Sequence, residues 1–210
     1  PEGILRVARR AEELGYDSLW TWERLFVPTH PQTGYIGTPD GSYPEHFNRT
    51  MDPLDVLTFA AAHTSRIRLG TSILVMGHYH PLTFARRTAT LDVLSGGRTI
   101  FGPCAGNPEQ GVRREFEALG LDFDKRFSIF EEGLEIVRQL WTDGKVTHHG
   151  AQYDYQDISF YSGTEMGPLM PIQQPPPFWI VSNPRLVTDA ADEKMVRTMK
   201  TACRRILKYG

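Results

Sequence analysis

Four short apolar runs, each paired with a stretch of helical periodicity, constrain the fold more than any other feature of the chain. They fall at about 17–22, 67–75, 98–104 and 178–182 and favour β-branched and aromatic residues. Ile4, Val7, Ala8, Ala11 and Leu14 share one helical face, and Gly15 stops that helix. Asp52-Pro53 supplies an N-cap and a first-turn proline to a second helix, and Pro81 opens a third. Phe127, Phe130, Leu134, Val137 and Trp141 line one face of a fourth, and DEKMVRTMKTACRRILKY forms the last. Strands alternating with helices mean βα units around a parallel sheet, either doubly wound or a (β/α)8 barrel. In both, ligands meet the carboxyl ends of the strands. Those ends read Trp22-Glu23-Arg24, Met76-Gly77-His78, Pro103-Cys104-Ala105-Gly106 and Ser182-Asn183-Pro184, polar or small where a core would be bulky. No GxGxxG or Walker pattern occurs, which argues against the doubly wound alternative.

Two segments interrupt the alternation. Residues 24–50 are polar and rich in proline and glycine, the composition of a lid or binding loop. Residues 143–177 read as an excursion, a β-hairpin (KVTHHGAQYDYQDISFY) followed by a proline-rich linker. The whole chain, 1–210, reads as one domain. A net charge of −2 offers no basic footprint for nucleic acid, and the apolar runs are too short to span a bilayer. Two distant cysteines and no visible signal peptide point to a cytoplasmic protein with reduced thiols.

The sequence resembles the luciferase-like monooxygenases, (β/α)8-barrel flavoproteins that include bacterial luciferase and users of the deazaflavin coenzyme F-420. The blocks AEELGYDSLWTWERLFVP, IRLGTSILVMG, HPLTFARRTATLDVLSGGR with FGPCAG, REFEALG, RFSIFEEGLEIVRQLWT and PPPFWIVSN occur in family order. The resemblance implies a TIM barrel of the bacterial-luciferase type, incomplete here, with the first strand and last three strands not present. It implies a monooxygenase that uses reduced FMN with O2 to oxidise a small organic substrate. The alternatives are F-420-dependent hydride transfer and a non-catalytic flavin-binding protein. It further implies a separate flavin reductase as partner in the FMN case, and a homodimer or homotetramer.

Glu23, Arg24 and His78 are the candidate catalytic residues. By the resemblance Glu23 lies at the cofactor edge; Arg24 stands near a histidine that serves luciferase as base. Arginine is a poor base and suits an anion instead. His78 is expected to line the mouth; with His80 it is a weak metal pair, and no metal site is expected. Thr71, Ser72, Ile73, Cys104, Gly106, Ser182 and Asn183 are the candidate cofactor residues. The resemblance places a non-proline cis peptide at Ser72-Ile73 and the cofactor phosphate near Ser182-Asn183. Residues 102–106 are expected to be small because a planar ring lies over that strand end, with Cys104 beside it as a spacer. Trp20 and Trp22, two apart on a strand, share a side and are expected in the core.

Overall fold

The computed structural model describes residues 1–27, 29, 35, 37–107, 110–160, 163, 167–180 and 193–210. Helix α1 (Glu2–Glu13) leads into β1 (Ser18–Thr21). A 3-10 turn at Glu45–Arg49 precedes α2 (Pro53–Ala61), β2 (Arg68–Thr71) and β3 (Leu74–Val75). Then come α3 (Pro81–Ser95), β4 (Thr99–Ile100), β5 (Pro103–Cys104), α4 (Gln110–Ala118) and α5 (Arg126–Asp143). The hairpin β6 (Lys145–His149) and β7 (Asp154–Ser159) follows, and α6 (Glu193–Tyr209) is last.

Strands β1, β2 and β4 pair in parallel in that order, Leu19 beside Leu69 and Leu69 beside Thr99. Strands β3 and β5 form a second parallel pair, Val75 beside Cys104. Two expected strands are therefore each divided in two. The run at 67–75 divides at Ser72-Ile73, whose peptide bond is cis, and the run at 98–104 divides at Phe101-Gly102. Of the strand expected at 178–182, Phe178 makes a parallel bridge to Phe101, and residues 181–182 lie outside the described residues.

The core lies between the sheet and helices α2, α3 and α5. Leu69, Phe101 and Phe178 point into it, as do Leu57, Phe84, Leu134 and Trp141. Trp141 stacks between Phe101 and Phe178, with centroids at 5.7 and 4.9 Å, and donates its indole N–H to Ala85 O at 3.1 Å. Trp20 and Trp22 depart from expectation, 37% and 36% exposed. Trp20 sits on the opposite face of the sheet, flat on Gly70 with no Cβ to lift it, and meets Trp179 at 5.0 Å. Trp22 packs on Phe47 of the 3-10 turn at 4.7 Å.

Side-chain carboxylates fasten the connections. Asp52 caps α2 by accepting Leu54 N and Asp55 N at 2.9 and 3.0 Å. Glu12 accepts the amides of Ser65, Arg66 and Ile67 within 3.0 Å, and these bonds outweigh its desolvation and hold its carboxyl at about 2. Glu132 accepts those of Ala151, Gln152 and Tyr153 in the hairpin turn. Buried Asp92 accepts Gln173 N at 2.9 Å, which pins the proline-rich linker. Arg98 of the SGGR block is likewise structural: its guanidinium donates to the carbonyls of Ala61, Thr64 and Ile67.

Candidate functional site

Three strand ends converge through one helix. The chain leaves β1 as Trp22-Glu23-Arg24, and the Glu23 side chain turns toward the end of β3. Its Oε2 accepts Val75 N at 2.6 Å and faces His78 Nδ1 at 3.1 Å, and its Oε1 accepts the Tyr79 hydroxyl. Helix α4, which follows β5, brings Glu115 to the other side of the imidazole, Oε2 lying 3.4 Å from His78 Nε2. Glu115 Oε1 accepts Leu25 N at 3.0 Å and Phe26 N at 3.4 Å and lies 3.6 Å from Arg24 Nε. Gly111 and Glu115 stand one turn apart on α4, so they share a face. The glycine makes the notch in which the Arg24 guanidinium lies, since a Cβ at 111 would collide with it. Tyr43 and Phe47, from the segment expected as a lid, cover the guanidinium with ring centroids at 5.6 Å.

The result is a closed cluster of two carboxylates and two cationic side chains, each at most 8% exposed. Burial works against a charged imidazole. The hydrogen bonds and attraction of Glu115 and Glu23 outweigh it and raise His78 to about 9. His78 is therefore an enclosed cation at neutral pH, and the expectation that it lines the mouth is corrected. Arg24, expected to meet an anion, lies with its Nε 3.6 Å from Glu115, a carboxylate of its own chain. Among the described residues no group of three or more His, Cys, Asp and Glu is arranged to hold a metal ion.

The expected cofactor residues separate into three groups. Ser72 is exposed and Ile73 half-buried at the end of β2, and Gly106, half-buried at φ +87°, follows β5. Thr71 is fully buried, its hydroxyl accepting Gly102 N at 2.9 Å, so its side chain works inside the fold. Cys104 is also buried, packed with Val75, Val112 and Phe116. Burial pushes its thiol up to about 12, so it is a neutral sulfur accepting Gly106 N at 3.4 Å. Ser182 and Asn183 lie outside the described residues. Gly102 is small for a reason within the chain: a Cβ there would overlap the Thr71 carbonyl oxygen of the neighbouring strand. Sequence reasoning missed Glu115, although its block REFEALG was visible; a lone glutamate on a short polar helix looks like a solvated face.

The sheet also carries an aromatic pair on the face turned away from the helices. Trp20 covers Gly70 and meets Trp179, 55% exposed, with the two rings tilted by 35°.

The family model described as luciferase-like monooxygenase matches residues 1–199. An F420-dependent glucose-6-phosphate dehydrogenase of Amycolatopsis mediterranei is 28% identical over 195 residues, 91% of this chain and 50% of that protein. The monooxygenase RslO1 of Streptomyces bottropensis superposes with a TM-score of 0.64 at 24% identity, covering 99% of this chain and 60% of that one. The oxygenating constituent of 3,6-diketocamphane monooxygenase of Pseudomonas putida, in complex with FMN, gives 0.64 at 18% identity, covering 85% and 45%. The chain thus spans about half the length of the curated relatives it matches. Its matched span and the fold it shares show that it belongs to the luciferase-like monooxygenase family.

Proposed function

We propose that this chain carries the cofactor-facing part of an oxidoreductase site that takes reduced FMN and, with O2, oxidises a small organic substrate. The supporting observation is the set of strand ends that Glu23 ties together: its carboxylate, following β1, accepts Val75 N of β3, while exposed Ser72 and half-buried Ile73 follow β2 and half-buried Gly106 follows β5. In this reading Ser72, Ile73 and Gly106 would meet the ring of a planar coenzyme, and Ser182 and Asn183, outside the described residues, its phosphate. Bound there, the coenzyme supplies the redox chemistry, and the protein supplies shape, orientation and exclusion of water. Glu23 holds the Val75 amide, His78 and Tyr79 in place at that edge. A separate reductase would deliver the reduced flavin, and the working unit would be a cytoplasmic homodimer or homotetramer.

A second reading, hydride transfer by coenzyme F-420, is favoured by the relative named an F420-dependent glucose-6-phosphate dehydrogenase, which aligns with 91% of this chain. Anaerobic fluorescence titration with reduced FMN and with F-420 tests both. FMN binding followed by O2 consumption with substrate supports the first, and F-420 binding alone selects the second. FMN binding without turnover on any substrate selects a non-catalytic flavin protein. Binding of neither ends the proposal.

A further inference from the structure

We infer that Glu115 is a positioning residue that sets the conformation of the β1 exit, residues 23–26, and through it the coenzyme-facing edge. The inference rests on the site reading above for its link to the coenzyme. The geometry concerns three connections at once. Glu115 belongs to the helix after β5, grips the main chain after β1 through Leu25 N and Phe26 N, and faces His78, which follows β3. Its side chain is 1% exposed, so no water competes for these contacts. Ninety residues separate it from Leu25, so the link is tertiary and not a local cap.

Each oxygen has its own task. Oε1 holds the loop amides and faces the Arg24 guanidinium, while Oε2 faces the imidazole. Glu23 stands on the other imidazole nitrogen, so His78 bridges the two carboxylates, and Tyr79 closes the far side of Glu23. Moving Glu115 therefore releases the loop backbone and unbalances the cluster that holds Glu23 against Val75 N.

The two tasks separate in variants. Glu115→Gln retains an acceptor for the amides and removes the charge opposite His78; Glu115→Ala removes both. Amide hydrogen exchange in the coenzyme-free protein reads the first task, and an NMR titration of the His78 imidazole reads the second. In Glu115→Ala, Leu25 and Phe26 amides should exchange at least about tenfold faster, with Leu69 in β2 unchanged, and Glu115→Gln should restore their protection. In Glu115→Gln the His78 midpoint should fall from about 9 toward its ordinary 6.5. Coenzyme affinity should weaken at least about tenfold in Glu115→Ala and by less in Glu115→Gln, which keeps the loop amides held.

Exchange that speeds at all amides, Leu69 included, would mark a general loosening and overturn the inference. So would wild-type coenzyme affinity in a Glu115→Ala protein whose loop amides have lost protection. If Glu115→Ala fails to fold, the Glu115→Gln titration carries the test, and an unmoved midpoint refutes it. Wild-type protein that binds neither coenzyme defeats the site reading alone, because the exchange and titration results do not depend on it.

Discussion

Replacing Gly102 by alanine separates a fold requirement from a ligand requirement at the strand end. The added methyl would overlap the Thr71 carbonyl oxygen, and it would stand 3.4 Å from that carbonyl carbon and 3.7 Å from Trp179 O. These neighbours are backbone, so no side chain can swing aside, and β2 must move from β5. The movement strains Gly102 N to Thr71 Oγ1 at 2.9 Å and Leu74 N to Gly102 O at 2.8 Å. Overpacking of a tight site costs about 1–3 kcal/mol, and each weakened hydrogen bond adds about 0.5–1.5 kcal/mol. We expect a loss of about 3 kcal/mol, a large share of the roughly 5–15 kcal/mol that holds a domain together. Urea unfolding of the coenzyme-free protein measures it as a lower midpoint at constant slope. Gly3→Ala is the control: nothing lies near a Cβ at Gly3, and alanine in helix α1 should be neutral or stabilising by up to about 1 kcal/mol. A Gly102→Ala protein within about 0.5 kcal/mol of wild type would refute the packing explanation and return the glycine to the ligand.

Three further outcomes follow from the same geometry. His78 is raised to about 9 from an ordinary 6.5, so its contribution is complete below about 6.5 and disappears as the pH rises through about 9. It amounts to something on the order of 3 kcal/mol, and urea midpoints at pH 6 and pH 9.5 should differ in wild type far more than in His78→Gln. Glu12, lowered to about 2, works in the opposite sense, its contribution present above about 4.5 and lost as the pH falls through about 2; Glu12→Gln should cost about 1–2 kcal/mol at pH 7, allowing for solvent screening, and much less at pH 2. A chromogenic disulfide reagent should modify exposed Cys203 at once and buried Cys104 only after unfolding; rapid reaction of both thiols in native protein contradicts the packing of Cys104.

Helix starts were legible because their signals are local: Asp52-Pro53 and Pro81 each open a helix where expected. The hairpin was legible for the same reason, its turn lying between His149 and Asp154. What escaped was tertiary. An apolar run shows that residues 67–75 are extended, but hydrophobicity carries no record of a division at Ser72-Ile73. Trp20 was misplaced because alternation gives the two sides of a strand without saying which one faces the helices; Leu19 and Leu69 take that side. Helix α4 offers too few apolar positions, chiefly Val112 and Phe116, to stand out from the polar residues around them. Glu115 acquires meaning only when a loop ninety residues earlier arrives beside it.

The carboxylates that grip loops in this protein hold main-chain N–H groups: Glu12 at 65–67, Glu115 at 25–26 and Glu132 at 151–153. An amide is the same whatever side chain it carries, so the anchor is indifferent to the identity of the residue anchored. Leu25 and Phe26 can therefore be exchanged for other residue types without the loop losing its place, and a library randomised there should return many folded members. Proline alone lacks the N–H and is the one residue the clasp cannot hold. Sequence change in such a loop is thus decoupled from the stability of the scaffold beneath it.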